Sequence, residues 1–172
     1  MISFFPLIEE DRKGGEPLNE IELLYKQYYP DLYRYIFSLT LNHYHAEDIV
    51  SSTFFAAINS IHTFKHQSSI KTCLIGIARH EYYSFLKKNP MNLSIDEIGE
   101  RTTSSVSIDN QTEQIIKIRQ TFDDPQRQIV ILRLINQLSF LEISQIVNQS
   151  ESYCRVSFFR GKQKLVEVLK HD

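Results

Sequence analysis

The chain of 172 residues lacks several features that mark common functional classes. Its two cysteines, Cys73 and Cys154, cannot build a disulfide framework, and each lies in a segment of helical periodicity, which favours a buried, inert thiol. The five glycines form no phosphate-binding loop, and neither a nucleophile elbow nor an H-E-x-x-H motif is present. No segment approaches the ~20 apolar residues of a membrane span. These absences argue against a disulfide scaffold, the common motif-bearing enzymes and a membrane-spanning protein.

The charge and the first residues of the chain exclude further functional classes. Residues 1–8 are largely apolar but lack a basic leader and run directly into three acidic residues, so we expect no signal peptide and a cytoplasmic location. The net charge of -2 excludes a uniformly basic coat. The positive charge is concentrated at one end, since residues 116–172 carry nine basic and six acidic side chains. The distribution of charge is therefore more informative about a nucleic-acid partner than the net charge.

The periodicity of the chain is helical. Apolar residues recur at helical spacing in residues 21–41, with Pro30 as a kink or break, and again from about Ala46 to Thr63 and from Ile70 to Lys88. Ser68 or Ser69 can cap the third of these helices. Helical signals return near Gln111 after a stretch rich in Ser, Thr and acidic residues. Asp124-Pro125 has the pattern of an N-cap followed by proline at the first helical position. No stretch alternates with period two, so the prediction is an all-α fold of two small helical domains joined by a flexible linker.

Residues 138–164 predict a helix-turn-helix. Ser139 and Glu142 match the S-x-x-E capping box of a first helix, and Ser150 can cap a second helix that begins near Glu151. The inward face of that second helix is predicted to carry Cys154, Phe158, Gly161, Leu165 and Leu169. Its other face is basic and hydrogen-bonding, as in helices that enter the major groove of DNA. An ordinary helix pair with a solvated charged face fits this stretch equally well.

In order along the chain, LYKQYYPDLYRYI, HAEDIVSSTFFAAI, FKHQSSIKTCLIGIARHEYYSFLKK and the stretch from DDPQRQIVILRL to FFRGKQKL resemble sigma-70-type RNA polymerase sigma factors. The pairing of regions 2 and 4 alone resembles the extracytoplasmic-function (ECF) group. The resemblance implies an N-terminal arm (1–19), region 2 (20–88), an acidic linker (89–110) and region 4 with the helix-turn-helix (111–172). The expected function is to bind core RNA polymerase, direct it to specific promoters and assist their opening, without cofactors or catalytic residues. The expected partners are core polymerase, promoter DNA and an anti-sigma factor, with no membrane contact.

The resemblance also implies roles for individual residues. On the helix that carries AED, the core polymerase surface would comprise Glu47, Asp48, Ser51 and Thr53. The -10 element would be bound by Lys65, His66, Gln67, Ser68, Ser69, Arg79, His80, Lys87 and Lys88. The -35 element would be bound by the recognition helix through Ser150, Glu151, Ser152, Tyr153, Arg155, Ser157, Arg160 and Lys162. By themselves, Glu47 and Asp48 could simply be first-turn partners of a helix dipole.

The chain departs from the family pattern at several positions. Cys73 stands where the family usually has tryptophan, and Ser84 where it has aspartate. His80 replaces an asparagine, which affects the expected -10 sequence preference. Gly161 stands where alanine is common; a glycine inside a helix costs ~1 kcal/mol relative to alanine, and close packing is its expected reason.

Three other functions are compatible with this sequence. A helix-turn-helix regulator would bind duplex DNA without polymerase, whereas isolated ECF factors usually bind promoters weakly. A metalloenzyme could use His43-x-His45, but no third ligand follows at a recognisable zinc spacing. A decoy that only captures a regulator would show no promoter-dependent transcription.

Overall fold

The computed structural model of the chain describes residues 17–60, 68–90 and 110–171. Within these ranges the chain forms seven α-helices and no strand, which confirms the all-α prediction. The helices are α1 Pro17–Thr40, α2 His43–Ser60, α3 Ile70–Lys88, α4 Asn110–Thr121, α5 Gln126–Leu134, α6 Phe140–Val147 and α7 Glu151–His171. None of the described helices is long and apolar enough to cross a membrane. The predicted domain boundaries stay a prediction. Residues 91–109 of the predicted linker lie outside the described residues.

Serine side chains cap the N-termini of three helices, as the sequence predicts. Ser69 caps α3, because its hydroxyl accepts a hydrogen bond from the Thr72 amide at 3.1 Å. Ser139 and Glu142 form the complete capping box of α6. The Ser150 hydroxyl accepts from the Tyr153 amide at 3.1 Å at the start of α7. Each serine satisfies an N–H group that the first helical turn leaves without a partner.

Two predicted helix starts are wrong. Helix α2 begins at His43 rather than near Ala46, because the Asn42 side chain accepts from the His45 amide at 3.0 Å and so caps the helix. The acidic pair of α2 therefore lies beyond its first turn. Asp124 does not cap α5, since Pro125 occupies the N-cap position and makes no side-chain capping bond. Pro30 does not break α1, which is continuous.

Helices α1, α2 and α3 form the first bundle, in which each helix packs against the other two. Their inward stripes are apolar, as the helical periodicity predicts. The buried residues of this bundle include Leu32, Ile36, Leu39, Ala46, Ile49, Val50, Leu74, Ile75 and Ala78. Rings on α1 contact one another at every fourth residue: the centroids of the tilted pair Tyr25 and Tyr29 lie 5.0 Å apart, and those of the stacked pairs Tyr29–Tyr33 and Tyr33–Phe37 lie 5.8 Å and 5.9 Å apart. In this ladder of rings, Tyr29, Tyr33 and Phe37 are partly buried and pack against the core of the bundle.

Helices α4 to α7 form the second bundle, and α6 and α7 are joined by the predicted polar turn. Asn148 ends α6 in the left-handed conformation, with φ 55° and ψ 49°, which an asparagine adopts readily. The core of this bundle contains Ile129, Val130, Ile131, Leu132, Ile143, Ile146, Cys154 and Phe158. Cys73 and Cys154 are both free thiols, and burial raises the pKa of each. A raised pKa leaves less thiolate, which agrees with the predicted inert thiols.

The two bundles pack against each other. Helix α3 contacts α6, and α1 contacts both α4 and α5, so the buried apolar residues of both bundles form one continuous cluster. Hydrogen bonds also cross between the bundles. The Tyr35 hydroxyl on α1 donates to the Gln128 side-chain oxygen on α5 at 3.1 Å, and the Tyr83 hydroxyl on α3 donates to the Asp124 carboxylate at 2.9 Å.

Candidate polymerase-binding and DNA-binding surfaces

One side of α2 faces away from both bundles. Glu47, Asp48 and Ser51 are exposed there, as predicted for a partner surface, and none of them forms an ion pair or a hydrogen bond through its side chain within the described residues. Thr53 does not belong to this surface. It is fully buried, and its hydroxyl donates to the Ile49 carbonyl oxygen at 2.7 Å. The prediction for Thr53 was wrong because a threonine can satisfy its hydroxyl within its own helix and still face the core.

Two large aromatic side chains on the same side of α2 were missed. The Tyr44 side chain is 81% exposed and that of Phe55 70%, the highest values among the large hydrophobic residues described. Positions 44, 48, 51 and 55 share one helix face, because intervals of four, three and four residues return to nearly the same angle. This spacing could have revealed the face from the sequence. We call Tyr44, Asp48, Ser51 and Phe55 the α2 outer face.

The start of α3, predicted to bind the -10 element, lies against the second bundle. Lys65, His66 and Gln67 lie outside the described residues, whereas Ser68 and Ser69 directly precede the helix. The Lys71 ammonium bonds to the Asp31 carboxylate at 2.8 Å and to the Asn136 carbonyl oxygen at 3.2 Å. Lys71 therefore contacts both bundles, since Asp31 belongs to α1 and Asn136 follows α5.

The remaining basic residues of α3 divide into two groups. Arg79 is partly buried: its Nε donates to the Gln128 oxygen at 2.8 Å, and its guanidinium lies 4.9 Å from the centre of the Tyr83 ring. In this arrangement Arg79 is only partly accessible to solvent. His80, Lys87 and Lys88 are exposed, and the two lysines occupy the last turn. These three side chains remain accessible to a phosphate backbone.

The exposed side of α7 carries most of the predicted recognition residues. Ser152, Tyr153, Arg155, Arg160 and Lys162 all point outward, and Ser150 and Glu151 lie at the helix start. Ser157 is the exception, since it is buried. It follows Cys154 by three residues and precedes Gly161 by four, which places it on the inward face against α5. The prediction that Ser157 reads DNA is therefore wrong for this packing.

Arg155 is held in place by neighbouring side chains. Its guanidinium bonds to the Glu151 carboxylate at 2.7 Å and lies 4.9 Å from the centre of the Phe140 ring. Two apolar residues of this face were missed: Val156 is 48% exposed and Phe159 52%. The exposed face of α7 therefore combines cations and hydroxyls with apolar groups. An apolar group can contact a thymine methyl in the major groove.

Glu142 connects the helix-turn-helix to α3. Burial alone raises the pKa of its carboxyl group, but hydrogen bonds from Ser139, Thr72 and Ser69 outweigh this and hold the pKa below its ordinary value. The Thr72 hydroxyl donates to this carboxylate at 3.1 Å and the Ser69 hydroxyl at 3.4 Å. The ionised form of Glu142 is therefore the form that this contact uses.

The histidine pair of α2 makes ring contacts. The Tyr33 hydroxyl hydrogen-bonds His43 Nδ1, and the His45 ring lies 4.8 Å from that of Phe85. Across the three described ranges, no group of three or more His, Cys, Asp or Glu side chains could hold a metal ion.

An all-α chain with a helix-turn-helix, packed on a three-helix bundle that exposes an acidic and aromatic helix face, has the arrangement of a sigma-70-type transcription factor. Residues 24–90 match the sequence model of Sigma-70 region 2. ECF RNA polymerase sigma factor SigM of Bacillus subtilis is 28% identical over 151 residues, which cover 84% of this chain and 92% of the relative. SigX of the same organism is 27% identical, covering 88% of this chain and 86% of the relative.

Two solved structures share the fold. The sigma factor RpoE of Bartonella quintana, in complex with the anti-sigma factor NepR, has a TM-score of 0.71 at 22% identity and covers 90% of this chain and 99% of that chain. CnrH, in complex with the cytosolic domain of CnrY, has a TM-score of 0.71 at 16% identity and covers 92% of both chains. Over most of its length the chain is therefore similar to ECF RNA polymerase sigma factors, and residues 24–90 match Sigma-70 region 2. Sigma factors are regulatory subunits of the polymerase rather than catalysts.

Proposed function

We propose that this chain binds core RNA polymerase through the α2 outer face. The observation that carries the proposal is the combination of Asp48 with two large exposed aromatic residues, Tyr44 and Phe55. Because α2 begins at His43, the helix dipole does not account for Asp48, and no cation of the described chain neutralises it. Exposed aromatic residues beside a charge are typical of residues that dominate a protein interface.

The DNA contacts follow from the other exposed surfaces. We propose that α7 enters the major groove of the -35 element, where Ser152, Tyr153 and Arg155 reach base edges and Arg160 and Lys162 bind phosphates. The start of α3, with the residues that precede it, would bind the unpaired strand of the -10 element. His80, Lys87 and Lys88 would bind phosphates nearby. These contacts need no catalytic group, and the protein would act in the cytoplasm.

We also propose that a protein inhibitor controls this factor. The support is that RpoE, a sigma factor of similar fold, is bound to the anti-sigma factor NepR, and that CnrH, also of similar fold, is bound to the cytosolic domain of CnrY. Run-off transcription with purified core polymerase on genomic fragments would test the function as a whole. A protein that never directs transcription but binds duplex DNA alone would instead be a helix-turn-helix regulator.

Substitutions on the α2 outer face test the proposed polymerase-binding surface more specifically. Asp48→Arg reverses a charge on the proposed surface, and Phe55→Ala removes its largest apolar group. Each should weaken binding to core polymerase by about tenfold or more, the effect of losing an interface anchor. Neither should change thermal stability appreciably, because both side chains are exposed.

The matched controls are Glu167→Arg and Val166→Ala, which make the same kinds of change at exposed positions of α7. Both controls should bind core polymerase as wild type does. Unchanged binding by Asp48→Arg and Phe55→Ala, with unchanged melting, would remove the α2 outer face from the interface.

A further inference from the structure

Arg155 on the exposed side of α7 contacts both a carboxylate and an aromatic ring. Its guanidinium donates to the Glu151 carboxylate at 2.7 Å and lies 4.9 Å from the centre of the Phe140 ring. Glu151 precedes Arg155 by about one helical turn, and an acidic residue on the N-terminal side is the favourable order for such a pair. Both charged side chains are about half exposed, but two separate contacts hold the guanidinium in one position.

The ring that Arg155 contacts is itself fixed. Phe140 is buried, and its ring centroid lies 5.6 Å from that of Phe158. The Arg133 guanidinium also lies 4.9 Å from the centre of the Phe140 ring, and it donates to the Leu138 carbonyl oxygen at 2.7 Å. A buried ring with so many neighbours has little freedom to move. Phe140 is therefore a rigid support for Arg155.

An arginine near DNA can bind in two ways. It can contact a phosphate, which carries no sequence information, or it can donate two hydrogen bonds to O6 and N7 of guanine. The guanidinium has five N–H donors, so Arg155 can keep its bond to Glu151 while two other donors face a base. If Arg155 turned to a phosphate instead, the Glu151 carboxylate would lose its partner beside a negatively charged backbone.

We propose that Glu151 determines sequence specificity by positioning Arg155 for guanine and opposing its contact with phosphate. The inference rests on the proposed function, which places α7 in the major groove of the -35 element. Glu151 acts through Arg155 and touches no base itself. Without the carboxylate, Arg155 becomes one more phosphate contact, and the protein binds DNA more tightly but less selectively.

Glu151 also lies in the first turn of α7, where an acidic residue interacts favourably with the helix dipole. A role limited to the dipole would change thermal stability and leave base preference unaltered. The test therefore measures both quantities.

The test uses the full-length protein and the variant Glu151→Ala. The matched control is Glu167→Ala, which removes an exposed carboxylate from the same helix. Glu167 lies ~24 Å further along the helix axis, well beyond the ~8 Å over which salt screens a charge. The probe is a fluorescein-labelled pool of duplex DNA with a random central stretch. Anisotropy at several salt concentrations gives the affinity for the pool, and sequencing of the bound fraction gives the base preference.

We expect Arg155→Ala to lose a guanine preference at one base pair and to bind the pool more weakly. Glu151→Ala should lose the same preference but bind the pool roughly fivefold more tightly at about 0.15 M salt, with a salt dependence steeper by ~0.9, as one added phosphate contact requires. Glu167→Ala should match wild type in both measurements. The double variant Glu151→Ala/Arg155→Ala should have the base preference of Arg155→Ala, because Glu151 acts only through Arg155.

Two results would overturn the inference. An unchanged base preference in Glu151→Ala would leave Glu151 as a dipole partner only. A preference lost at another base pair would make Glu151 a direct reader, since a carboxylate can accept from the amino group of cytosine. Circular dichroism melting establishes that Glu151→Ala is folded; if it is not, Glu151→Gln decides by the same comparison.

Lys162→Ala separates this inference from the proposed function. Weaker pool binding by Lys162→Ala would place α7 on the DNA, and an unchanged preference in Glu151→Ala would then refute only the role of Glu151. If neither Lys162→Ala nor Arg155→Ala changed pool binding, the proposed DNA contact of α7 would be refuted, and the inference with it.

Discussion

Replacing Gly161 by alanine should destabilise the protein, although alanine is the better helix former. A Cβ atom at this position would lie 3.1 Å from Cγ2 of Val130 and 3.5 Å from Cε1 of Phe122. Both neighbours are buried, so neither can move away freely. Removing a glycine from a helix interior stabilises by ~1 kcal/mol. Overpacking a core costs ~1–3 kcal/mol. We expect a net loss of about 1 kcal/mol in the free energy of unfolding.

A double-mutant cycle isolates the cause. Val130→Ala removes the nearest contacting methyl group and should by itself cost about 2 kcal/mol, as a large-to-small change in a core does. In that background the Cβ atom added by Gly161→Ala no longer meets the Cγ2 methyl group of residue 130, so the substitution should stabilise by about 1 kcal/mol through helix propensity. The sign of the alanine effect should therefore reverse, with a coupling energy of about 2 kcal/mol.

Urea denaturation followed by circular dichroism measures all four proteins. The midpoint should shift while the slope stays constant, because the surface exposed on unfolding hardly changes. If Gly161→Ala stabilised wild type as much as it stabilises Val130→Ala, close packing against α5 would not be the reason for glycine at this position.

Three further predictions concern the contact between the bundles and the recognition helix. Folding lowers the pKa of the Glu142 carboxyl group, so the contribution of this group to stability is complete above the ordinary pKa of 4.5 and is lost as the pH falls below it. Wild type should therefore lose more stability than Glu142→Gln in acid melts. Cleavage within residues 91–109 by limited proteolysis should leave two fragments that co-elute in gel filtration, and separate elution would contradict the packed arrangement. Arg155→Ala should relax promoter preference at one base pair by ~1–3 kcal/mol, whereas Lys162→Ala should weaken all promoters equally and reduce the salt dependence. Identical sequence profiles for wild type and Arg155→Ala in a promoter library would make Arg155 a phosphate contact.

Local signals in the sequence predicted the features that depend on neighbouring residues. The caps at Ser69, Ser139 and Ser150 each involve a backbone amide three residues along the chain, so the sequence pattern contains both partners. The inward face of α7 at Cys154 and Phe158 follows from helical periodicity in the same way. Where such a signal was overlooked, as with the Asn42 cap of α2, the error moved a helix start by one turn.

Contacts between distant residues could not be predicted from these patterns. Gln128 bonds Tyr35 and Arg79, which precede it in the chain by 93 and 49 residues, and nothing in the local sequence near any of them indicates this network. Arg79 was therefore read as a free cation for phosphate. The burial of Thr53 and Ser157 was missed for a related reason. A hydroxyl suggests an outer surface, but helix geometry decides which side a residue faces.

The ladder of rings on α1 has a mechanical consequence. Pro30 removes one backbone hydrogen bond from the middle of a 24-residue helix, a change that commonly lets a helix bend. The ring pairs Tyr25–Tyr29 and Tyr29–Tyr33 extend past Pro30, and the Arg34 side chain donates to the Pro30 carbonyl oxygen at 3.3 Å. We therefore expect the ring contacts to oppose bending of α1 at Pro30. If α1 stays straight, a separation of the two bundles would move α4 to α7 as a unit away from α1 instead of bending α1 at Pro30.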